Sequence, residues 1–379
     1  MVLLLIIALL ASWNNLVDSA SNKTSCDYSQ NVNSCLQNSC GQSPCTMLCG
    51  LTVQYDNCEQ LCTSSNCNAI ECRASESCEQ NCAHDNCTSM TCDAKDCQQL
   101  CSAGQCNMRC SSSITPGQCQ QSCTSITPCE SIVCDASNCS QSCHGQTECN
   151  MDCPTGAKEC IQNAHGGNAS LRCDGDACEQ NCYGGDCNMT CPLQSRSCTQ
   201  NAYGGNATLQ CDGEVCEQRC YSGDCNMICP ETANKCTQES SNKNTPMRCD
   251  GELCEQTCYT GDCNMTCPLG VKRCIQKALN ENGTMRCDGE VCEQQCGNGD
   301  CNMLCSSSVK ECKQTCSNGN CLYTCEAKKC DLDCFFGSCT SVKSSSGKPA
   351  SSVKPTSNSA ATSFVTSTLL TAVTFIGAI

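Results

Sequence analysis

The chain has almost no aromatic side chains. Phe, Tyr and Trp make up 3% of its 379 residues, and the one Trp, Trp13, lies near the N-terminus. So small a supply rules out an ordinary large apolar core. Histidine is scarcer still, with only His84, His144 and His165. No Ser/His/Asp motif, phosphate loop or metal-binding helix signature accompanies them. No enzyme and no cofactor is therefore expected. Thiols never come closer than Cys-X-X-X-Cys. The Cys-X-Cys and Cys-X-X-Cys spacings of zinc sites and redox pairs are missing, so no thiolate metal site is expected. Basic residues are outnumbered, 22 Lys and Arg against 38 Asp and Glu, which leaves a net charge of −16. That balance disfavours nucleic acid as a partner and suits solubility, cations or basic partners.

What the chain has instead is cysteine, at 56 residues. That density signals a disulfide scaffold, and such a scaffold persists only in an oxidising compartment. The two ends fit an extracellular route. Residues 1–20 read as a signal peptide, with an apolar run from Val2 to Ala11 and small residues at Ser19 and Ala20. After a short N-terminal cap (21–34) and the Cys-rich body (35–340), residues 341–358 form a Ser/Lys/Pro-rich stalk. Small residues at Asn358–Ser359–Ala360, a spacer and the apolar end LLTAVTFIGAI follow in the order of a GPI-attachment signal. The expectation is a lipid anchor on Asn358, with 359–379 removed and the membrane reached through the lipid alone.

The body is an internal repeat. The segment Cys-X-Gln-X-Cys recurs at Cys58, Cys78, Cys97, Cys119, Cys139, Cys178, Cys216, Cys254, Cys292 and Cys312. Copies that have lost the second Cys begin at Cys160, Cys198, Cys236 and Cys274. Units start every 18 to 22 residues, and from Cys173 a 38-residue double repeat is strict at Cys211, Cys249 and Cys287. Let a, b, c and d denote the four Cys of one unit, as in Cys178, Cys182, Cys187 and Cys191. Four units replace b and c together: Ala164 with Ala169, Ala202 with Ala207, Ser240 with Thr245, and Ala278 with Gly283. No unit replaces only one. Joint loss implies that b is bonded to c, because a lone survivor would be a free thiol. If each d then bonds the next unit's a, all 56 Cys are used. The hypothesis yields Cys26–Cys35, Cys40–Cys45, Cys173–Cys178, Cys182–Cys187, Cys191–Cys198, Cys220–Cys225, Cys325–Cys330 and Cys334–Cys339.

In a strand, residues two apart share a face. Cys-X-Gln-X-Cys places a, Gln and b together, and Cys-Asn-Met-X-Cys places c, Met and d together. Each unit therefore reads as two short strands with tight turns between. The predicted fold is all-β, a disulfide-stapled solenoid of about 16 coils with a Gln ladder inside. Cys at i and i+4 would also share a helix face, so short helices, or a chain of irregular disulfide loops, stand as alternatives. The construction resembles the disulfide-laddered solenoids of beetle antifreeze proteins. Those coils are shorter and present a regular Thr-X-Thr face. Here the outward positions mix Glu, Thr, Asn and Arg, so ice binding is not implied.

Three features bear on partners. Asp174, Asp212, Asp250 and Asp288 recur in Asp-Gly turns, with Asp186, Asp224, Asp262 and Asp300 in the next turn. Carboxylates in register offer weak Ca²⁺ sites. They are also ordinary turn residues, and the intervening turns carry Lys158, Arg196, Lys235, Lys272, Arg273 and Lys310, so stacking interleaves the two signs. N-glycosylation sequons stand at Asn22, Asn86, Asn138, Asn168, Asn188, Asn206, Asn264 and Asn282. In composition and repeat style, from Cys26 to Cys339, the chain resembles the acidic Cys-rich repeat proteins of coral skeletal matrix. Those of the galaxin type carry adjacent Cys-Cys pairs, and this chain has none. The expected function is a structural or adhesive glycoprotein of the cell surface. A secreted matrix constituent with weak Ca²⁺ binding and a receptor-like binding module are the alternatives.

Overall fold

A computed structural model of the chain describes residues 23–25, 34–38, 45–50, 55–63, 67–83, 87–111, 117–125, 127–145, 148–242, 245–280 and 282–342. Every regular element among them is a β-strand. Strands such as Ala177–Cys182 carry a, Gln and b inward and form one sheet, called here the Gln sheet. Strands such as Cys187–Cys191 carry c, Met and d inward and form the facing Met sheet. All pairings are parallel and join equivalent residues of successive units: Cys178 to Cys198, Gln180 to Gln200, Met189 to Leu209. The chain is thus a parallel β-solenoid. Rungs of the Gln sheet run from the strand Ser34–Asn38 to Lys329–Cys334. At ~4.8 Å per coil, 16 coils make a rod roughly 75 Å long.

The solenoid extends slightly beyond its expected bounds of 35 and 340. Lys23–Ser25, in the expected cap, pairs with Thr46–Leu48, and the last strand, Ser338–Val342, runs two residues into the expected stalk. Unequal unit lengths are absorbed locally. Where c and d are five apart rather than four, as in Cys87–Cys92 and Cys129–Cys134, the register slips by one residue after c. The bulge keeps Met90 and Ile132 two residues before d, in the apolar row.

Two stripes fill the interior. One holds the b and c cysteines and the apolar row from Met47 to Tyr323. The other holds the a and d cysteines with small turn residues such as Ala157, Ala233 and Val271. The disulfides staple both edges of the sandwich. Among the expected pairs, Cys173–Cys178, Cys182–Cys187, Cys191–Cys198, Cys220–Cys225, Cys325–Cys330 and Cys334–Cys339 are bonded, each between neighbouring strands. Cys26 and Cys40 lie outside the described residues, and with them the pairs Cys26–Cys35 and Cys40–Cys45. No described cysteine is free. Each staple closes a loop of five to nine residues, for which chain entropy gives about 2 kcal/mol.

Between the stripes runs the Gln ladder. Each Nε2 donates to the Oε1 of the preceding rung, from Gln60 to Gln37 at 2.7 Å through Gln200 to Gln180 at 2.9 Å to Gln314 to Gln294 at 2.8 Å. Most of these amides also donate across the interior to a carbonyl of the Met sheet, as Gln200 does to Gln210 O at 3.1 Å. Burial of an amide is costly unless it is paired, and here each rung pairs the next. The ladder ends at Leu332, which has no amide to offer, and the Oε1 of Gln314 is left buried without a partner.

In units without a b–c disulfide, small groups replace it. Ala202 and Ala207 are buried, and the Ser240 hydroxyl donates to Thr245 Oγ1 at 2.9 Å. At the fourth such site Gly283 leaves room for Ala278, whose Cβ would lie 2.8 Å from an added Cβ.

Candidate functional surfaces

The regular interior turns every alternate side chain outward, so equivalent positions of successive units become stripes along the rod. Three stripes and the C-terminal end carry distinct chemistry.

The first is the sequon face. Asn168, Asn188, Asn206, Asn264 and Asn282 are all exposed and lie on the outer surface of the Met sheet, immediately before or after c. Asn188 stands between Ser170 and Thr208, the hydroxyl residues of the neighbouring sequons. Asn150, Asn168, Asp186, Asn188, Asn206 and Asn226 line one shallow groove there, parallel to the rod axis. Asn138 differs, being half-buried on the Gln sheet between Gln118 and Glu159. Asn22, Asn86 and the expected anchor residue Asn358 lie outside the described residues.

The second stripe is charged. Arg172, Arg248 and Arg286 bind Asp174, Asp250 and Asp288 at 2.8–2.9 Å, and Gln210 donates to Asp212 at 3.1 Å. The interleaving of signs between coils occurs at Lys272–Glu252, 2.7 Å, and Lys310–Glu290, 2.6 Å. The Lys310 hydrogen bond holds the Glu290 carboxyl below its ordinary range. The Asp186 row is used differently. Asp186 and Asp300 accept the backbone N–H of Asn206 and Asn320 in the next coil, at 3.2 and 3.0 Å. Exposed pairs of this kind add little stability. Their effect is to give the carboxylates local partners.

The third stripe is aromatic. His144, His165, Tyr183, Tyr203 and Tyr221 follow b in five consecutive units, and their rings stack at 4.0, 4.4, 4.8 and 4.7 Å. Offset stacking of aromatic pairs is favourable beyond simple burial. Desolvation lowers the pKa of His165, and His144 beside it acts in the same direction. The turn beneath the tyrosines is glycine-lined because nothing larger fits: Gly205 has φ 72°, and a Cβ there would meet Gly185 O at 1.7 Å. The single-position recurrence of His and Tyr after b is legible in the sequence, although individual units do not reveal it.

The fourth feature is the C-terminal end. Tyr323 takes the place of Met in the apolar row, donates to Asp333 O at 2.7 Å and is pushed by burial up to a pKa of about 12. Phe335 and Phe336, in the final turn, are 47% and 83% exposed. Among the described residues no helix is long and apolar enough to cross a membrane.

Comparison with known proteins returns no matching family model, no matching curated protein and no matching solved structure. The class is therefore defined by the fold: a disulfide-laddered parallel β-solenoid, whose bonded cysteines fit an extracellular protein.

Proposed function

We propose that the protein is a stiff, glycosylated rod of the cell surface, held by a GPI lipid on Asn358 and acting in structure or adhesion rather than catalysis. The observation that carries this reading is the unbroken pairing of disulfides and Gln amides along the solenoid. Described coils are fixed to their neighbours by parallel ladders and stapled at the d–a edge, and b–c bridges close the other edge except in the four units that lack those cysteines. Such a body resists bending and proteolysis, because proteases need locally unfolded chain. The two described histidines are absorbed in an aromatic stack, which fits a non-catalytic role. The five sequons on one face suit a glycan-sheathed surface protein.

Treating intact cells with a GPI-cleaving phospholipase tests the anchor. Release of the rod into the medium supports the reading. Retention in an insoluble matrix fraction would instead favour the secreted matrix role, for which the Asp186, Asp224, Asp262 and Asp300 row is the supporting feature. Calorimetry at millimolar Ca²⁺ then decides whether that row takes up the ion.

A further inference from the structure

The last coil is unlike the shaft. In the described units above it, the turn after b carries polar or small residues, the stacked His and Tyr stripe, Tyr259 or the half-buried Leu279, and never two large apolar side chains together. In the last it carries Phe335 and Phe336, both exposed and without an aromatic neighbour in the rung above, which offers Ser317 and Gly319. Val342, at the end of the final strand, is 49% exposed. The charge reverses as well. From Lys328 onward the sequence holds Lys328, Lys329, Lys343, Lys348 and Lys354 against Asp331 and Asp333 only, in a protein whose overall charge is −16. Exposed Phe at one edge of the coil and Lys328 and Lys329 at the other, a strand's length of about 20 Å away, give the end of the rod the mixed apolar and basic character of a surface that sits at a lipid–water interface. Its position fits the same occupant. Fifteen residues, 343–357, separate this coil from Asn358. A chain of that length reaches at most about 50 Å, so a lipid on Asn358 keeps the coil within that distance of the headgroups.

We infer that the terminal coil is a membrane foot: Phe335 and Phe336 insert among the lipids of the outer leaflet, Lys328 and Lys329 at the opposite edge of the coil meet the headgroups, and together they hold the rod against the bilayer. This rests on the anchored reading above. Two inserted Phe side chains strengthen attachment and restrict the tilt of the shaft, which a flexible stalk alone would leave free.

The sequence supplies its own reporter. Its only Trp is Trp13, in the segment expected to be removed, so Phe336→Trp places a single fluorophore at the foot and the wild-type protein serves as the blank. The full chain is purified from expressing cells, its lipid cleaved by the phospholipase, and mixed with vesicles of phosphatidylcholine with and without phosphatidylglycerol. The expected result is a blue shift of emission from the introduced indole, quenching by lipids labelled at shallow depth, and a loss of roughly tenfold or more in vesicle binding for Phe335→Ser/Phe336→Ser. Unshifted emission with vesicles present overturns the proposal. So does a blue shift that needs only higher protein concentration, which would mean that the end face packs on a second copy. An anchor elsewhere in the chain brings the rod to the vesicle without burying residue 336. Failure of the foot is thus distinguishable from failure of the anchor, which phospholipase release reads separately.

Discussion

Removing one amide from the middle of the Gln ladder should cost far more than removing one from its end, and the structure fixes the difference. Gln200→Leu deletes three hydrogen bonds: to Gln180 Oε1 at 2.9 Å, to Gln210 O at 3.1 Å, and from Gln218 at 2.9 Å. It also orphans Gln180 Oε1, whose other neighbour, Cys191, is in a disulfide and has no proton to give. Gln218 keeps its bonds to Leu209 O and Ile228 O. At about 1 kcal/mol per net bond and about 1–3 kcal/mol for a buried orphan, the cost is about 5 kcal/mol before the gain from added apolar burial, about 1 kcal/mol, which is common to both substitutions. Gln314→Leu deletes the ladder bond to Gln294 at 2.8 Å and orphans Gln294 Oε1, but it removes the orphan already present on Gln314. The number of unpaired carbonyls is unchanged, and the cost is about 1 kcal/mol. The gap of about 4 kcal/mol corresponds to roughly a thousandfold in a local opening constant. Hydrogen exchange on the disulfide-intact protein, followed by reductive quench and peptide mass analysis, reads opening around residues 191–229 and 305–334 separately. Equal losses at the two sites, or none at Gln200, would refute the ladder as a source of stability.

Further consequences concern the disulfide rows and the titrating rings. Ala202→Cys/Ala207→Cys lies in register between Cys182–Cys187 and Cys220–Cys225. It should add one bridge worth about 2 kcal/mol, and free thiols at those positions in a non-reducing peptide map would contradict the assigned geometry. Tyr323 should ionise last of the tyrosines when absorbance at 295 nm is followed with pH. Because its folded pKa is raised to about 12, its contribution is full below the ordinary tyrosine range near 10 and lost as pH rises towards 12. The final coil should therefore loosen in that window, and Tyr323→Phe should flatten the dependence. His165 runs the other way. Its folded pKa is lowered, so the stability it lends is present above the ordinary histidine range and lost as pH falls below it. Exchange in residues 160–173 should rise on acidification, and His165→Phe, which keeps a ring in the stack, should suppress the rise.

Several of these features were open to reading from the sequence because they are properties of period. The two-residue alternation in Cys-X-Gln-X-Cys needs no tertiary information to place Cys and Gln on one face. Joint loss of b and c at Ala202 and Ala207 reports a covalent bond, since chemistry forbids half of it. Other features depend on which residues stacking makes neighbours. His144 and Tyr221 are 77 residues apart in sequence, and only the coil register makes them ends of one stack. The same register brings Asn168, Asn188 and Asn206 into one groove and leaves Asn138 on the opposite sheet.

The strict 38-residue double repeat shows where the division falls. Its period is plain in the sequence, but its cause is not. In one coil the turn between d and a buries a side chain, Ala233 or Val271. In the next, the Asp-Gly turn receives it, and a Cβ on Gly251 or Gly289 would lie 2.7–2.8 Å from the carbonyl below. Along this stretch a filled turn alternates with a Gly turn that fits against it, whereas Ala74 and Ala94, and Ala136 and Ala157, are buried in adjacent coils elsewhere in the rod. The sequence by itself determined the strands, the face of each residue and the cysteine partners, because these follow from local spacing and valence. Only the tertiary structure decided which units touch, because contact between coils depends on pitch and register, which local spacing does not contain.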